Sequence, residues 1–206
     1  MNKPELRTLM RTRRGALSFG DKIRASRMLC ARLSRHPFFI KAGRVGIYYP
    51  NDGEIDVTPV AMRRTPRHYY LPVLPARGKL RLWFGAYEPG QRLTKDRFGI
   101  MEPAGFPRVR AEDLDLVLVP LVAFDRSGGR VGMGGGFYDT SLGFIRQRGR
   151  ASRTRAIGVA YHFQQIESIP KDHWDVPLHG IVTDKEFIPA SLMINHPEGI
   201  AGQPSI

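Results

Sequence analysis

The chain has 206 residues, is 42% hydrophobic and carries 32 basic against 19 acidic residues, a formal charge of +13. No stretch approaches the ~20 apolar residues of a membrane span, the single Cys30 excludes an internal disulfide framework or a cysteine metal cage, and the basic start MNKPELRTLMRTRRG lacks the apolar block that a secretory signal requires. A cytoplasmic protein with no membrane partner is expected, with one domain over residues 1–194 and a loose tail over 195–206.

Residues 4–14 read as a first helix. Ser18 with Asp21 supplies the start signal of a second, on which Ala25, Leu29 and Leu33 share a face. Within residues 1–35 there are ten Lys and Arg against two Asp and Glu, so eight of the thirteen excess charges lie there. The segments RVGIYYP (44–50), HYYLPVL (68–74) and LRLWF (80–84) are β-rich and bounded by Gly or Pro, as strands are. Thr58 and Pro59 open a short helix between the first two. LDLVLVPLVAF (114–124) is an almost unbroken apolar run, the pattern of a strand covered on both faces. YDTSLGFIRQRG then reads as a helix, RAIGVAY as a strand and HGIVT as a final short strand. This alternation predicts an α/β fold, a three-layer α/β/α sandwich around a mostly parallel sheet.

The stretch GRVGMGGGFYD (129–139) lies between the apolar run and the following helix, where open α/β sheets bind ligands. Glycine-rich backbone there can offer N–H groups to phosphate oxygens, with the positive end of the helix and Arg130 adding to the field. It is neither a P-loop, since no Lys-Ser or Lys-Thr follows, nor a dinucleotide fingerprint, since Phe137 takes the place of the last glycine. Asp139 would repel bare phosphate, so a hard cation such as Mg²⁺ between them is expected. The bland alternative is a tight turn followed by an acid that complements the helix dipole.

The segment PLVAFDRSGGRVGMGGGFYD resembles the signature of the 5-formyltetrahydrofolate cyclo-ligase (5,10-methenyltetrahydrofolate synthetase) family, and YYPNDGEID (49–56), YLPVL, FGIMEP (98–103) and WDVPLHGIVT (174–183) resemble further family elements in the same order. The resemblance implies a ligase that uses ATP as co-substrate and Mg²⁺ as cofactor to close 5-formyltetrahydrofolate to 5,10-methenyltetrahydrofolate through phosphorylation of the formyl oxygen. It implies ATP contacts from Lys3 and Arg7, four residues apart on one helix face, and from Arg130, Val131, Gly132, Met133, Gly134, Gly135, Gly136, Phe137 and Tyr138. Asp139 is the implied metal ligand. The implied folate contacts are Asn51, Glu54, Asp56, Phe137 and Tyr138, with a carboxylate accepting the pterin N–H groups. Asp56 is favoured by alignment and Glu54 stands close behind, while Asp56 or Thr58 could instead only cap the short helix. His179 falls where some relatives carry a second metal-ligating acid, which leaves ATP and water, or Asp175, to complete the shell. Gly135 stands where some relatives have lysine.

The basic excess also motivates a second reading, a nucleic-acid-binding protein, and a third is an ATP-binding relative without cyclisation. The aromatics lie mostly within predicted strands and no RRM, KH or helix-turn-helix pattern is present, so a small-molecule enzyme acting as a monomer is expected.

Overall fold

Successive residues of the central strands are buried in opposite cores, and this decides which helices cover which face. The computed structural model describes residues 1–62, 66–105, 107–170, 172 and 174–189. The tail expected over 195–206 lies outside these residues.

Helix α1 (Lys3–Gly15) starts from a capping box in which the Asn2 side chain accepts the Glu5 N–H and the Glu5 carboxylate accepts the Asn2 N–H. Helix α2 (Phe19–Ser34) is capped by Ser18, whose hydroxyl accepts the Asp21 N–H, as its sequence predicts. A one-turn α3 (Pro37–Lys41) leads into β1 (Arg44–Gly46), and a 3₁₀ turn at Thr58–Val60 precedes β2 (His68–Val73). Then follow β3 (Trp83–Tyr87), the β4–β5 hairpin (Leu93–Lys95, Met101–Pro103), β6 (Arg108–Val109) and β7 (Leu116–Pro120). The β8–β9 hairpin (Ala123–Phe124, Arg130–Val131), α4 (Phe137–Arg148), β10 (Arg155–Val159), β11 (Gly180–Val182) and β12 (Phe187–Pro189) complete the order.

Eight strands form one sheet in the order β12-β11-β10-β7-β1-β2-β3-β6. The five from β11 to β2 are parallel, and the antiparallel pairings sit at the two sides. Val45, Leu71, Leu116, Leu118, Ile157 and Val159 face α2 and α3, while Val117, Val119, Ala156 and Ile181 face α4 through Leu142 and Ile145. This is the expected three-layer α/β/α arrangement. Helix α1 belongs to neither face. Its Leu6 and Met10 pack on Val122, Ala123, Val131 and Ile169, beside the β8–β9 hairpin.

Two expectations shift. The strand expected at 80–84 runs instead over Trp83–Tyr87, because Leu82 N–H is drawn to Ser141 Oγ on α4 and pairing with β2 starts only at Trp83. The apolar run 114–124 is two strands. It leaves the main sheet after Pro120 and turns into the hairpin, whose loop is knotted by the buried Asp125. One oxygen of that carboxylate accepts the N–H groups of Ser127 and Gly129, and the other accepts the Ile169 N–H. Gly129 leaves no room for a side chain, since a Cβ would stand 2.3 Å from Asp125 Oδ2 and 2.6 Å from the Ile169 carbonyl oxygen. Gly129→Ala should therefore destabilise the fold by about 3 kcal/mol through overpacking. A thermal melt coinciding with that of the parent would show that the knot yields instead.

Candidate active site

The chain runs from β1 outward to β2 on one side and later from β7 outward to β10 and β11 on the other, so neighbours β1 and β7 mark the point where the sheet changes direction. Ligand crevices open beyond the carboxyl ends of strands at such a point. A cleft of about 720 Å³ lies there, walled by Tyr48, Asn51 and Glu54 after β1, by Pro120 and Leu121 at the end of β7, and by the glycine loop.

The site residues expected from sequence meet in this cleft with one exception. Lys3, Arg7, Asn51, Glu54 and the whole run Arg130–Asp139 line it; Asp56 does not. The Asp56 carboxylate accepts the Thr58 N–H and hydroxyl at 2.8 Å each, and its carbonyl accepts the Ser26 hydroxyl at 2.7 Å. It caps the 3₁₀ turn and ties that turn to α2, so of the two acids only Glu54 reaches the cleft.

The glycine loop is shaped by backbone. Gly134 (φ 99°) and Gly136 (φ 66°) occupy the left-handed region that glycine tolerates best. Gly136 precedes the first turn of α4, whose unpaired N–H groups face the loop. Arg7 Nε donates to the Gly132 carbonyl at 2.8 Å, and its guanidinium lies beside Gly134. Thus α1 and the loop, more than 120 residues apart in sequence, are held together by a side chain expected to serve the ligand.

Two ion pairs lie in the cleft wall. Arg130, 8% exposed, donates to Asp139 Oδ1 at 2.6 Å, and Lys3 pairs with Asp172. Asp175 accepts the Asp172 N–H at 3.0 Å and shares the cleft wall with Asp139. His179 does not reach the cleft. Its Nδ1 accepts the Ala156 N–H and its Nε2 sits 3.0 Å from Arg155 Nη1, so burial, then the Arg155 charge, lowers its pKa. The ring pins β10 to the segment before β11. Among the described residues no three His, Cys, Asp or Glu side chains cluster as a metal cage.

Glu54 is set by its turn. Its N–H donates to the Asn51 carbonyl at 3.0 Å, its carboxylate accepts the Asn51 N–H at 3.1 Å, and Tyr48 donates its hydroxyl to the Ile55 carbonyl at 2.7 Å. Burial pushes the Glu54 pKa up to about 7, against the opposing pull of the Asn51 N–H and of Arg14. The Tyr138 hydroxyl is raised as well, by burial and then by the Glu54 charge.

Several wall residues carried no site assignment in the sequence reading. Asp172 and the 53%-exposed Trp174 line the cleft beside Asp175, the acid already offered for the metal shell, as do Asp96 and the 59%-exposed Phe98 from the turn of the β4–β5 hairpin. Phe98 and Trp174 fall within the motifs FGIMEP and WDVPL, whereas Asp96 and Asp172 lie just before them and carried no signal of their own. Glu102 of the first motif acts at a distance: it accepts the Leu74 N–H at 2.9 Å and fixes the hairpin to the end of β2.

The basic N-terminal segment acquires a structural account. Arg32 donates to the Thr183, Asp184 and Lys185 carbonyls, Arg13 covers the Phe163 ring and donates to its carbonyl, and Arg14 is fully buried against Asp52. No helix among the described residues is long and apolar enough to cross a membrane.

Comparison with known proteins agrees with the geometry. The 5-formyltetrahydrofolate cyclo-ligase family model matches residues 1–184. The Escherichia coli protein named 5-formyltetrahydrofolate cyclo-ligase is 35% identical over 85% of this chain and 96% of its own length, and that of Haemophilus influenzae is 38% identical over 69% and 76%. A solved structure of Aquifex aeolicus 5,10-methenyltetrahydrofolate synthetase superposes with a TM-score of 0.76 at 32% identity, covering 98% of this chain and 97% of that one. The chain belongs to the 5-formyltetrahydrofolate cyclo-ligase family.

Proposed function

We propose that this chain is a cytoplasmic enzyme that closes 5-formyltetrahydrofolate to 5,10-methenyltetrahydrofolate at the expense of ATP, with Mg²⁺ as cofactor. The observation that carries this reading is that the glycine loop and the Glu54 turn face one cleft, so a phosphoryl donor and a pterin can be held against each other. The volume of about 720 Å³ is within the usual range for ligand sites.

The formyl group is an amide, whose oxygen is a poor leaving group. Attack of that oxygen on the γ-phosphorus expels ADP and leaves an iminium phosphate. The neighbouring bridge nitrogen then adds to the formyl carbon and loses its proton, and phosphate departs with the C–O electron pair. No covalent nucleophile from the protein is required; what it must supply is alignment and charge compensation. Lys3, Arg7 and Arg130 compensate the triphosphate once they exchange their present carboxylate and carbonyl partners for it. Glu54 accepts N–H groups of the pterin, with Asn51 closing its turn, and Phe137 and Tyr138 pack on the ring. The donor set suits Mg²⁺, which takes one or two protein carboxylates and fills its shell from phosphate and water. Asp139, with Asp175 on the same wall, would hold the ion, which when bound neutralises phosphate charge.

ATP-dependent growth of the near-ultraviolet absorbance of methenyltetrahydrofolate, with purified protein and Mg²⁺, tests the activity directly. A flat trace would count against it. The loop is tested separately by Gly132→Ala, because a Cβ there meets no protein atom within 4 Å and φ is not positive. The variant should melt like the parent yet bind nucleotide about tenfold more weakly, as expected where backbone must approach a ligand closely. Unchanged nucleotide affinity would place the phosphates elsewhere.

A further inference from the structure

Arg14 is 0% exposed, and among the described residues its Nε and Nη1 are buried without a hydrogen-bond partner; only Nη2 is engaged, at 2.9 Å from Asp52 Oδ2. Burying a guanidinium so incompletely satisfied is costly. Asp52 is itself unusual, the one non-glycine residue among those described with positive φ (51°). Gly53 beside it (φ 72°) packs so closely on α1 that a Cβ would lie 3.3 Å from Arg14 Cβ. Arg11 adds a second contact, Nε to Asp52 Oδ2 at 2.6 Å. The turn so clamped is the one that presents Glu54 to the cleft.

We propose that the Arg14–Asp52 pair is a positioning device that holds the Asn51–Glu54 turn in its left-handed conformation so that Glu54 stands ready for the pterin. Lys3, Arg7, Arg11 and Arg14 follow each other at spacings of four, four and three, one stripe of α1. A single helix face therefore reaches Asp172, the glycine loop and the Glu54 turn. The helix expected to serve the nucleotide also sets the folate acid. This rests on the reading of Glu54 as the acid that contacts folate.

Charge and position make opposite forecasts for Asp52→Asn. Asp52 raises the Glu54 pKa, so removing its charge would by electrostatics alone favour the ionised, pterin-binding form. Positioning forecasts the reverse, a KM for 5-formyltetrahydrofolate raised about tenfold, the scale of losing one hydrogen bond to a charged group. The affinity for a non-hydrolysable ATP analogue should be unchanged, and Arg14→Lys, which keeps the charge and loses the fork, should fall between parent and Asp52→Asn. In a Glu54→Gln background Asp52→Asn should have no further effect on folate KM. A lowered or unchanged KM in Asp52→Asn, a parallel loss of nucleotide affinity, or full additivity with Glu54→Gln would each overturn the proposal. If Glu54→Gln alone leaves folate KM unchanged, the assignment of Glu54 fails and this proposal with it, whereas additivity with a damaging Glu54→Gln sinks only the positioning role.

Discussion

Asp139→Asn should lower turnover by ~10²-fold or more, the scale of removing one electrostatic stabiliser from a reacting centre. The carboxylate stands at the start of α4, beside the glycine loop, and it pairs with the nearly buried Arg130. Asparagine keeps an acceptor for that guanidinium while removing the negative charge that a hard cation requires, so the fold should persist. Asp139→Ala would in addition strand Arg130 without a counter-ion, at a cost of roughly 3–5 kcal/mol. Turnover measured across a Mg²⁺ series, with thermal melts alongside, separates the two. The Asn variant should need more Mg²⁺ as well as turning over more slowly, and near-normal rates at limiting Mg²⁺ would remove Asp139 from the metal site.

Glu54→Gln should reduce kcat/KM for 5-formyltetrahydrofolate by about 10²-fold, because in its proposed role as acceptor of the pterin N–H groups the carboxylate makes charge-assisted hydrogen bonds that a neutral amide replaces poorly. Its pH dependence has a definite sign. With the folded pKa near 7, the ionised acceptor is lost as pH falls, so folate affinity in the parent should drop below about pH 7 and stay flat in the variant. Stability runs the other way. The folded pKa lies above the ordinary 4.5, so the contribution of Glu54 to stability is fully present below about pH 4.5 and lost as pH rises through about 7. Above that pH the Gln variant should be more stable than the parent, by at most about 3 kcal/mol, and indistinguishable from it in acid. A variant that binds folate normally, or that gains stability only in acid, would contradict the burial of this carboxylate and its role together.

Local signals in this chain were reliable where the structure they specify is itself local. The Ser18–Asp21 start of α2, the 3₁₀ turn at Thr58 and the helix after the glycine loop each depend on residues within one turn of one another. The apolar run 114–124 misled because its composition is the same on both sides of Pro120, although the first half is covered by two helical layers, whereas in the second Val122 and Ala123 turn to α1 while Leu121 and Phe124 stay in the core under α4. Strand β12 and the β4–β5 hairpin carried too few alternating residues to be read. Asp56 and Glu54 illustrate the same limit at the site. Two residues apart in an extended stretch, they would share a side. The left-handed turn at Asp52 and Gly53 and the cap made by Asp56 separate them instead.

By itself the amino-acid sequence determined the layered α/β class and the place of the glycine loop, because hydrophobic period, capping chemistry and glycine clustering are written in consecutive residues, and its motifs carried the resemblance to the family. Only the tertiary structure decided which charges face each other: Arg130 with Asp139, Lys3 with Asp172, Arg14 with Asp52, and His179 turned away to Ala156 and Arg155. Those partnerships depend on how strands ordered by long crossovers bring distant segments to the same end of a sheet, and no short-range pattern in the chain encodes that juxtaposition.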